Sequence, residues 1–284
     1  MLASLVTVYN PDCQTVDNIN TYAASVDKVF VCDNSPHDNK ELFSSINNLS
    51  YIYNNGNLGI SGAFNRVLKD KNYCWNADDN IIFFDQDSRV KQGHVEKLLK
   101  LYERLEKRYR VGCIGPSYFN LSNGKLEYVK GRQIGKTLYE VPTVITSSML
   151  TSYSALKAVD FFNEKIFLDY SDWDLCWRWT SNGYKVFTTK AVVFDHNVGN
   201  NEVQAGLIKI RKWDPVRTYY QVRDGRYLLS QKYVSYSYRI RLLYMTRLLP
   251  LMNIKYLDKK GERRHYYKKA ISDYQNGIYG EINE

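Results

Sequence analysis

The chain has 284 residues, 44% of them hydrophobic, and a formal net charge of +9, which is the composition of a soluble globular protein unusually rich in tyrosine. Five widely spaced cysteines without a CxxC argue against a disulfide framework or structural zinc site and suit a reducing cytoplasm. No run of about 18 apolar residues is present to span a bilayer, and MLASLVTVYNPDCQ lacks the basic start and apolar length of a signal peptide.

In chain order, LASLVTVYN reads as a strand and residues 13–25 as a helix. KVFVCDN is a second strand, 39–47 a short helix, and YIYNN a third strand. Residues 58–69 are helical, IIFFD is a fourth strand, and 90–108 a long helix with Val95, Leu98, Leu99, Tyr102 and Leu105 on its apolar face. This β-α-β-α order predicts a parallel sheet with helices on both faces, which binds ligands at the carboxyl ends of its strands. From 111 to 150, short β-like runs and glycines predict an antiparallel or mixed extension. Residues 171–180 then read as a helix with an acidic first turn, and KVFTTKAVVF as a strand ending at His196.

A boundary is expected near Asn200. It separates an α/β body, 1–200, from a mostly helical region, 201–284. From Leu207 to Ala270 there are 17 Lys and Arg against 4 Asp and Glu, so the positive charge is concentrated there.

Polar residues gather at the four strand ends: Tyr9-Asn10-Pro11, Asp33-Asn34-Ser35, residues 54–57, and Asp85-Gln86-Asp87. Two like charges closing an apolar strand are either a solvated turn or a pair facing a divalent cation, for which hard carboxylate oxygens suit Mg²⁺ or Mn²⁺. Residues 57–65, NLGISGAFN, open a helix. The glycines there serve either phosphate approach or close helix packing, and the pattern is neither GxGxxG nor a Walker loop. Asp33-Asn34 either contacts a base or ribose or forms an Asx-turn. In Asp169-Tyr170-Ser171-Asp172-Trp173-Asp174, Asp172 is either a general base or a helix-capping acid. His196 is either a metal or phosphate ligand or structural.

In the same order, VTVYNP, VDKVFVCDNS, NNGNLGISGAFN, IIFFDQDS, LDYSDWDLCWR with GYKV, DHNVG, and YYQVRDGRYLL (219–229) cover about residues 3–230. Together they resemble the family 2 inverting glycosyltransferases of GT-A fold, and among them the bacterial rhamnosyltransferases that extend surface polysaccharides such as O-antigen or capsule. The DQDS and YYxxR forms tilt the resemblance toward rhamnose.

The resemblance implies a Rossmann-like, mostly parallel central sheet and an Mn²⁺ or Mg²⁺ held by Asp85 and Asp87, with His196 added. It implies donor contacts from Tyr9, Asn10, Asp33, Asn57, Gly59, Asn65, Asp85, Gln86 and Arg223. Alignment on Asp174-Leu175-Cys176-Trp177-Arg178 puts the base at Asp172, with Asp169 as the alternative because Ser171 stands where the family has a first acid. The implied donor is dTDP-β-L-rhamnose or, alternatively, UDP-galactofuranose, UDP-galactose or UDP-glucose. The implied acceptor is a saccharide linked to polyprenyl diphosphate at the inner face of the bacterial plasma membrane.

In the C-terminal region, Tyr238, Leu242, Met245, Leu249 and Met252 share one helical face near basic residues. That face suits an anionic membrane surface, packing on the domain, or a homodimer. A nucleic-acid-binding protein is the alternative from another class, given the basic charge, although no recognisable nucleic-acid motif is present. A sugar nucleotidylyltransferase is a further alternative, without the glycine-rich N-terminal loop and its arginine.

Overall fold

In a computed structural model, residues 1–120, 124–127, 129–196, 202–205 and 208–283 are described. They form two compact units: Met1–Asn163 with Ser171–Val198, and Glu164–Tyr170 with Gly199–Glu284.

The first unit is built on a mixed sheet. Its strands are β1 (Leu2–Val8), β2 (Lys28–Asp33), β3 (Leu49–Tyr53), β4 (Asn80–Asp85), β5 (Val111–Asn120), β6 (Lys125–Glu127), β7 (Arg132–Gln133), β8 (Leu138–Glu140), β9 (Met149–Ser152) and β10 (Lys185–His196). The order is β3-β2-β1-β4-β9-β5-β10-β8-β7, with β6 on β5. Strands β1 to β4 are parallel, β9 runs antiparallel between β4 and β5, and β10 is parallel to β5. The mixed extension expected after residue 111 is thus β5 to β9.

Period-2 alternation explains why these apolar runs are strands buried on both faces. In β1, Ala3 and Leu5 enter one layer while Val6 and Val8 enter the other. In β4, Ile81 and Phe83 part from Ile82 and Phe84 in the same way. The first layer is covered by α2 (Gly59–Leu68), α4 (Tyr153–Lys157) and α5 (Ser171–Ser181) through Phe64, Leu68, Leu156 and Trp179. The second is covered by α1 (Cys13–Ala23) and α3 (His94–Glu106) through Ile19, Tyr22, Leu98 and Tyr102.

Helix α1 starts at a capping box in which Asp12 accepts from the Thr15 N–H at 2.9 Å and the Thr15 hydroxyl accepts from the Asp12 N–H at 3.3 Å. Helix α3 begins four residues later than the periodicity predicts. Gly93, at φ +74°, closes a turn that a continuing helix could not contain, and Val90 is a separate core plug.

The second unit holds the pair β11 (Glu202–Ala205) and β12 (Ile208–Arg211), then α6 (Pro215–Leu229), α7 (Tyr236–Leu243), a π-helical turn (Tyr244–Leu248), α8 (Leu249–Tyr256) and α9 (Lys260–Gln275). The segment YYQVRDG in α6 forms much of its core. Phe167 stacks on Tyr220 with centroids 4.5 Å apart, and Val222 and Ala270 close around them. Gly225 permits the close approach of α6 and the π turn: a Cβ there would lie 2.5 Å from Thr246 Cγ2. Of the five residues expected to share one helical face, Leu242 is buried, and Leu249 and Met252 pack on Ile210 and Leu257, so that side of the helix faces the core of its own unit.

One consequence concerns acid. His94 is buried and shares a 2.6 Å hydrogen bond with the Ser148 hydroxyl. Burial pulls its pKa down to about 4, with the nearby Glu96 opposing this and Lys97 adding to it. The unfolded chain takes up a proton near pH 6.5 that the folded chain refuses until about pH 4. Stability from this group is therefore complete above the unfolded value and lost as pH falls through that window. It amounts to about 2 kcal/mol between pH 7 and pH 5. Denaturant unfolding of His94→Gln is expected to show a correspondingly weaker pH dependence than wild type over this range, and equal slopes would contradict the assignment.

Candidate functional site

The strand order reverses at β1, with β2 on one side and β4 on the other. Such a switch point opens a crevice at the carboxyl ends of the strands. Register aligns those ends: Val8 lies beside Asp33, Asp33 beside Tyr53, and Thr7 beside Asp85. The four polar clusters therefore share one edge of the first unit.

At that edge the backbone is held by side chains. The Tyr9 N–H donates to Gln86 Oε1 at 2.7 Å, Asn18 Nδ2 donates to the Gln86 carbonyl at 3.1 Å, and the Asn10 N–H donates to the Ser35 hydroxyl at 2.7 Å. Asp33 is fully buried: Ser35 N–H donates to Oδ1 at 2.8 Å, while Asn39 Nδ2 and the Tyr51 hydroxyl donate to Oδ2 at 2.9 and 2.6 Å. Beside it, Asn34 reaches the Gly59 carbonyl at 3.1 Å and accepts from Asn54 Nδ2 at 2.9 Å. Asn57 Oδ1 accepts from the Gly59 N–H at 3.0 Å at the start of α2. Gly59 itself adopts φ +68°, a conformation that a side chain would strain.

The pair at the end of β4 is asymmetric. Asp87 is exposed, whereas Asp85 is half-buried and its pKa is raised to about 7, first by burial and then by the charge of Asp87, with the Ser147 hydroxyl partly offsetting both. Beneath it the Asp85 N–H donates to the Ser88 hydroxyl at 3.0 Å, and Ser88 lies 2.6 Å from Ser147 Oγ. Two carboxylates that repel each other at a strand end fit a divalent cation, which commonly completes its shell with substrate phosphate and water. Among the described residues there is no group of three or more His, Cys, Asp or Glu that could hold a metal, so phosphate oxygens and water would have to supply the remaining ligands.

Asp172 sits half-buried in the first turn of α5, where Trp173 N–H donates to its Oδ1 at 2.8 Å and the helix dipole favours the ionised form. The turn is anchored from both sides. The Ser61 hydroxyl donates to Ser171 Oγ at 3.1 Å, and buried Asp174 pairs with Arg178 Nε at 2.7 Å. Asp169, in the second unit, is clasped by Arg217 through Nε at 3.1–3.2 Å and Nη2 at 2.6 Å.

Two expected donor contacts serve the scaffold instead. Asn65 is buried and bonds both the carbonyl and the N–H of Phe162, at 2.9 and 3.1 Å. Arg223, in the second unit, is fully buried. It donates to Asp224 at 2.7 Å, the Tyr219 hydroxyl at 3.1 Å and the Gly280 carbonyl at 2.7 Å. The His196 side chain and residues 197–199 lie outside the described residues. Sequence reasoning missed Ser147 beside Asp85, and Ser148 with His94 at the Phe83 backbone, because nothing in TSSML predicts that β9 inserts next to β4.

The family model for glycosyl transferase family 2 matches residues 14–159, half of the chain. The chain belongs to that family. It is 26% identical over 287 residues, 98% of its own length and 95% of the relative's, to dTDP-rhamnosyl transferase RfbF of Shigella flexneri. Solved structures with the same fold include S. aureus TarS 1–349 in complex with UDP-GlcNAc (14% identity, TM-score 0.56, 98% of this chain and 81% of that one). Another is GalNAc-T7 with UDP, GalNAc and Mn²⁺ (11%, TM-score 0.57, 98% and 58%). The sheet is that of a GT-A glycosyltransferase, and family 2 membership replaces the nucleic-acid-binding and nucleotidylyltransferase alternatives.

The Asp33 nest generates a stability test. Removing one donor from a buried carboxylate costs about 1–3 kcal/mol, so Tyr51→Phe is expected to lower the unfolding free energy by that much. Tyr53→Phe, whose hydroxyl meets only the exposed Pro36 carbonyl, is expected to stay within about 0.5 kcal/mol of wild type. Denaturant titration checks both, and equal effects would mean Asp33 does not depend on Tyr51.

Proposed function

We propose that this glycosyltransferase moves L-rhamnose from dTDP-β-L-rhamnose to a hydroxyl of a polyprenyl-diphosphate-linked saccharide during bacterial O-antigen, capsule or cell-wall polysaccharide synthesis. The observation that carries the donor is the near full-length match to a protein named dTDP-rhamnosyl transferase. Arg223 no longer supports it, since that side chain is consumed inside the second unit. A UDP-sugar donor is the second reading, favoured by fold neighbours solved with UDP-GlcNAc or UDP.

Tyr9, Asn10, Asn57, Gly59 and Gln86 line the nucleotide pocket, with Asp33 behind them at the base or ribose. Asp85 and Asp87 would hold an Mn²⁺ or Mg²⁺ together with the diphosphate, with His196 as a further candidate ligand; such a cation would supply positive charge against the charge that grows on the leaving diphosphate. Asp172 takes the proton of the acceptor hydroxyl as its oxygen bonds to the anomeric carbon and the bond to the diphosphate oxygen breaks. dTDP leaves with the bonding electrons. A single in-line displacement inverts the anomeric centre, so the β-linked donor gives an α-glycoside without a covalent intermediate.

Asp172 is preferred over Asp169 because both oxygens of Asp169 are already taken up by the Arg217 guanidinium. The reaction site is read as the inner face of the plasma membrane, with the basic C-terminal region contacting that surface or, alternatively, forming a homodimer interface. Among the described residues, no helix is long and apolar enough to cross a membrane.

Asp172→Asn is expected to cut transfer on the order of 10²–10⁴-fold while dTDP affinity holds, and Asp169→Asn to retain transfer. Rates on a synthetic lipid-linked acceptor, with dTDP binding measured alongside, check this. Near-normal transfer by Asp172→Asn together with loss in Asp169→Asn would move the base to Asp169. Thermal-shift titration of dTDP against UDP separates the two donor readings, because the cognate nucleotide raises the melting temperature more.

A further inference from the structure

The second unit carries an apolar stripe that its own core does not use. Tyr236, Ile240, Leu243, Tyr244, Leu248 and Leu251 recur at helical spacing, and four of them are 79%, 54%, 58% and 52% exposed (Tyr236, Ile240, Leu248 and Leu251). The inward side is taken by Leu242, Thr246 and Asn253, all buried. Exposed side chains of this size in a row are uncommon on a soluble monomer and mark an interaction surface.

Backbone geometry keeps the stripe continuous. Pro250 cannot donate to the residue four places before it. The chain absorbs this with a π turn, in which the Leu249 N–H reaches the Tyr244 carbonyl, rather than ending the helix. At 1.5 Å per residue the stripe from Tyr236 to Leu251 runs roughly 20 Å.

The charge pattern identifies the occupant. Between Tyr236 and Leu257 there is no Asp or Glu and there are four cations: Arg239, Arg241, Arg247 and Lys255. Arg239 is turned back onto the carbonyls of Leu229 and Val234, but Arg247 and Lys255 are exposed. A two-fold contact with a second copy would bring this acid-free face against itself, cation toward cation. An anionic bilayer surface answers both features, since acyl chains accept the leucines, the headgroup zone accepts the tyrosines, and lipid phosphates pair with the cations.

We propose that the exposed stripe of α7, the π turn and α8 lies in the plane of an anionic phospholipid surface. The proposal rests on the reading of the acceptor as lipid-linked, and it places the contact on the face opposite to Leu242, Leu249 and Met252.

Co-sedimentation of the full chain with vesicles of phosphatidylglycerol and phosphatidylethanolamine tests it. Leu248→Glu with Leu251→Glu is expected to reduce vesicle partitioning about tenfold or more, as is Tyr236→Ser with Ile240→Ser at the other end. All four positions are exposed, so the melting temperature and dTDP binding are expected to hold. Raising the salt is expected to weaken wild-type partitioning without abolishing it, because only the ionic part is screened. Sedimentation of both variants equal to wild type would overturn the proposal. So would conversion of a dimer to a monomer with no change in partitioning, which would make the stripe a self-interface. Failure of the wild type itself to bind dTDP would instead strike the dTDP-rhamnose reading of the donor.

Discussion

The arrangement depends on one electrostatic conflict: a strand buried on both faces ends in two carboxylates separated by a single residue. Phe83 and Phe84 give β4 no solvent on either side, so Asp85 emerges half-buried and is pressed toward its neutral form by its surroundings and by Asp87. A folded protein retains such a conflict when something positive relieves it. The rest of the first unit is organised around that point. Gln86 ties the β1 and β4 ends together, Ser88 in the following turn bonds the Asp85 N–H, and β9, paired with β4, brings the preceding Ser147 against Ser88.

Much of this was legible in the residues. The alternation that sends Ala3 and Leu5 to one layer and Val6 and Val8 to the other is visible as an apolar run with turn residues behind it. From the βα order, the gathering of polar residues at one edge follows. Illegible were features that need a partner from far along the chain: Ser148 with His94 at a separation of 54 residues, Ser61 with Ser171 at 110, and Asn65 with Phe162 at 97. Asn65 shows the cost of reading motifs locally. In sequence it lies inside the glycine segment that opens α2, yet on the helix it bonds the Phe162 backbone.

The second unit gives the same lesson from the opposite direction. YYQVRDG looks chemical, with an arginine, an acid and two tyrosines in seven residues. There it is a packing element: the Arg223–Asp224 pair is completely buried and bonded by Tyr219, Phe167 and Gly280, with Arg223 Nη2 left without a hydrogen-bond partner among the described residues. A buried pair of this kind fixes geometry more than it stabilises. Periodicity likewise identified an amphipathic helix but left open whether its apolar side packs inward or meets a membrane or a second copy. Leu242, Leu249 and Met252 are as apolar as Leu248 and Leu251, so only the packing partners decide which set faces inward.

The central claim is that the carboxylate pair at the end of β4 holds a divalent cation together with the diphosphate of the donor. Calorimetric titration of dTDP with and without Mn²⁺, on wild type and on Asp87→Ala, addresses it most directly. Tight binding that requires Mn²⁺ in wild type, and a folded Asp87→Ala whose weak binding ignores Mn²⁺, is the result expected. An Asp87→Ala protein that binds dTDP as tightly as wild type, with the same response to Mn²⁺, would contradict it.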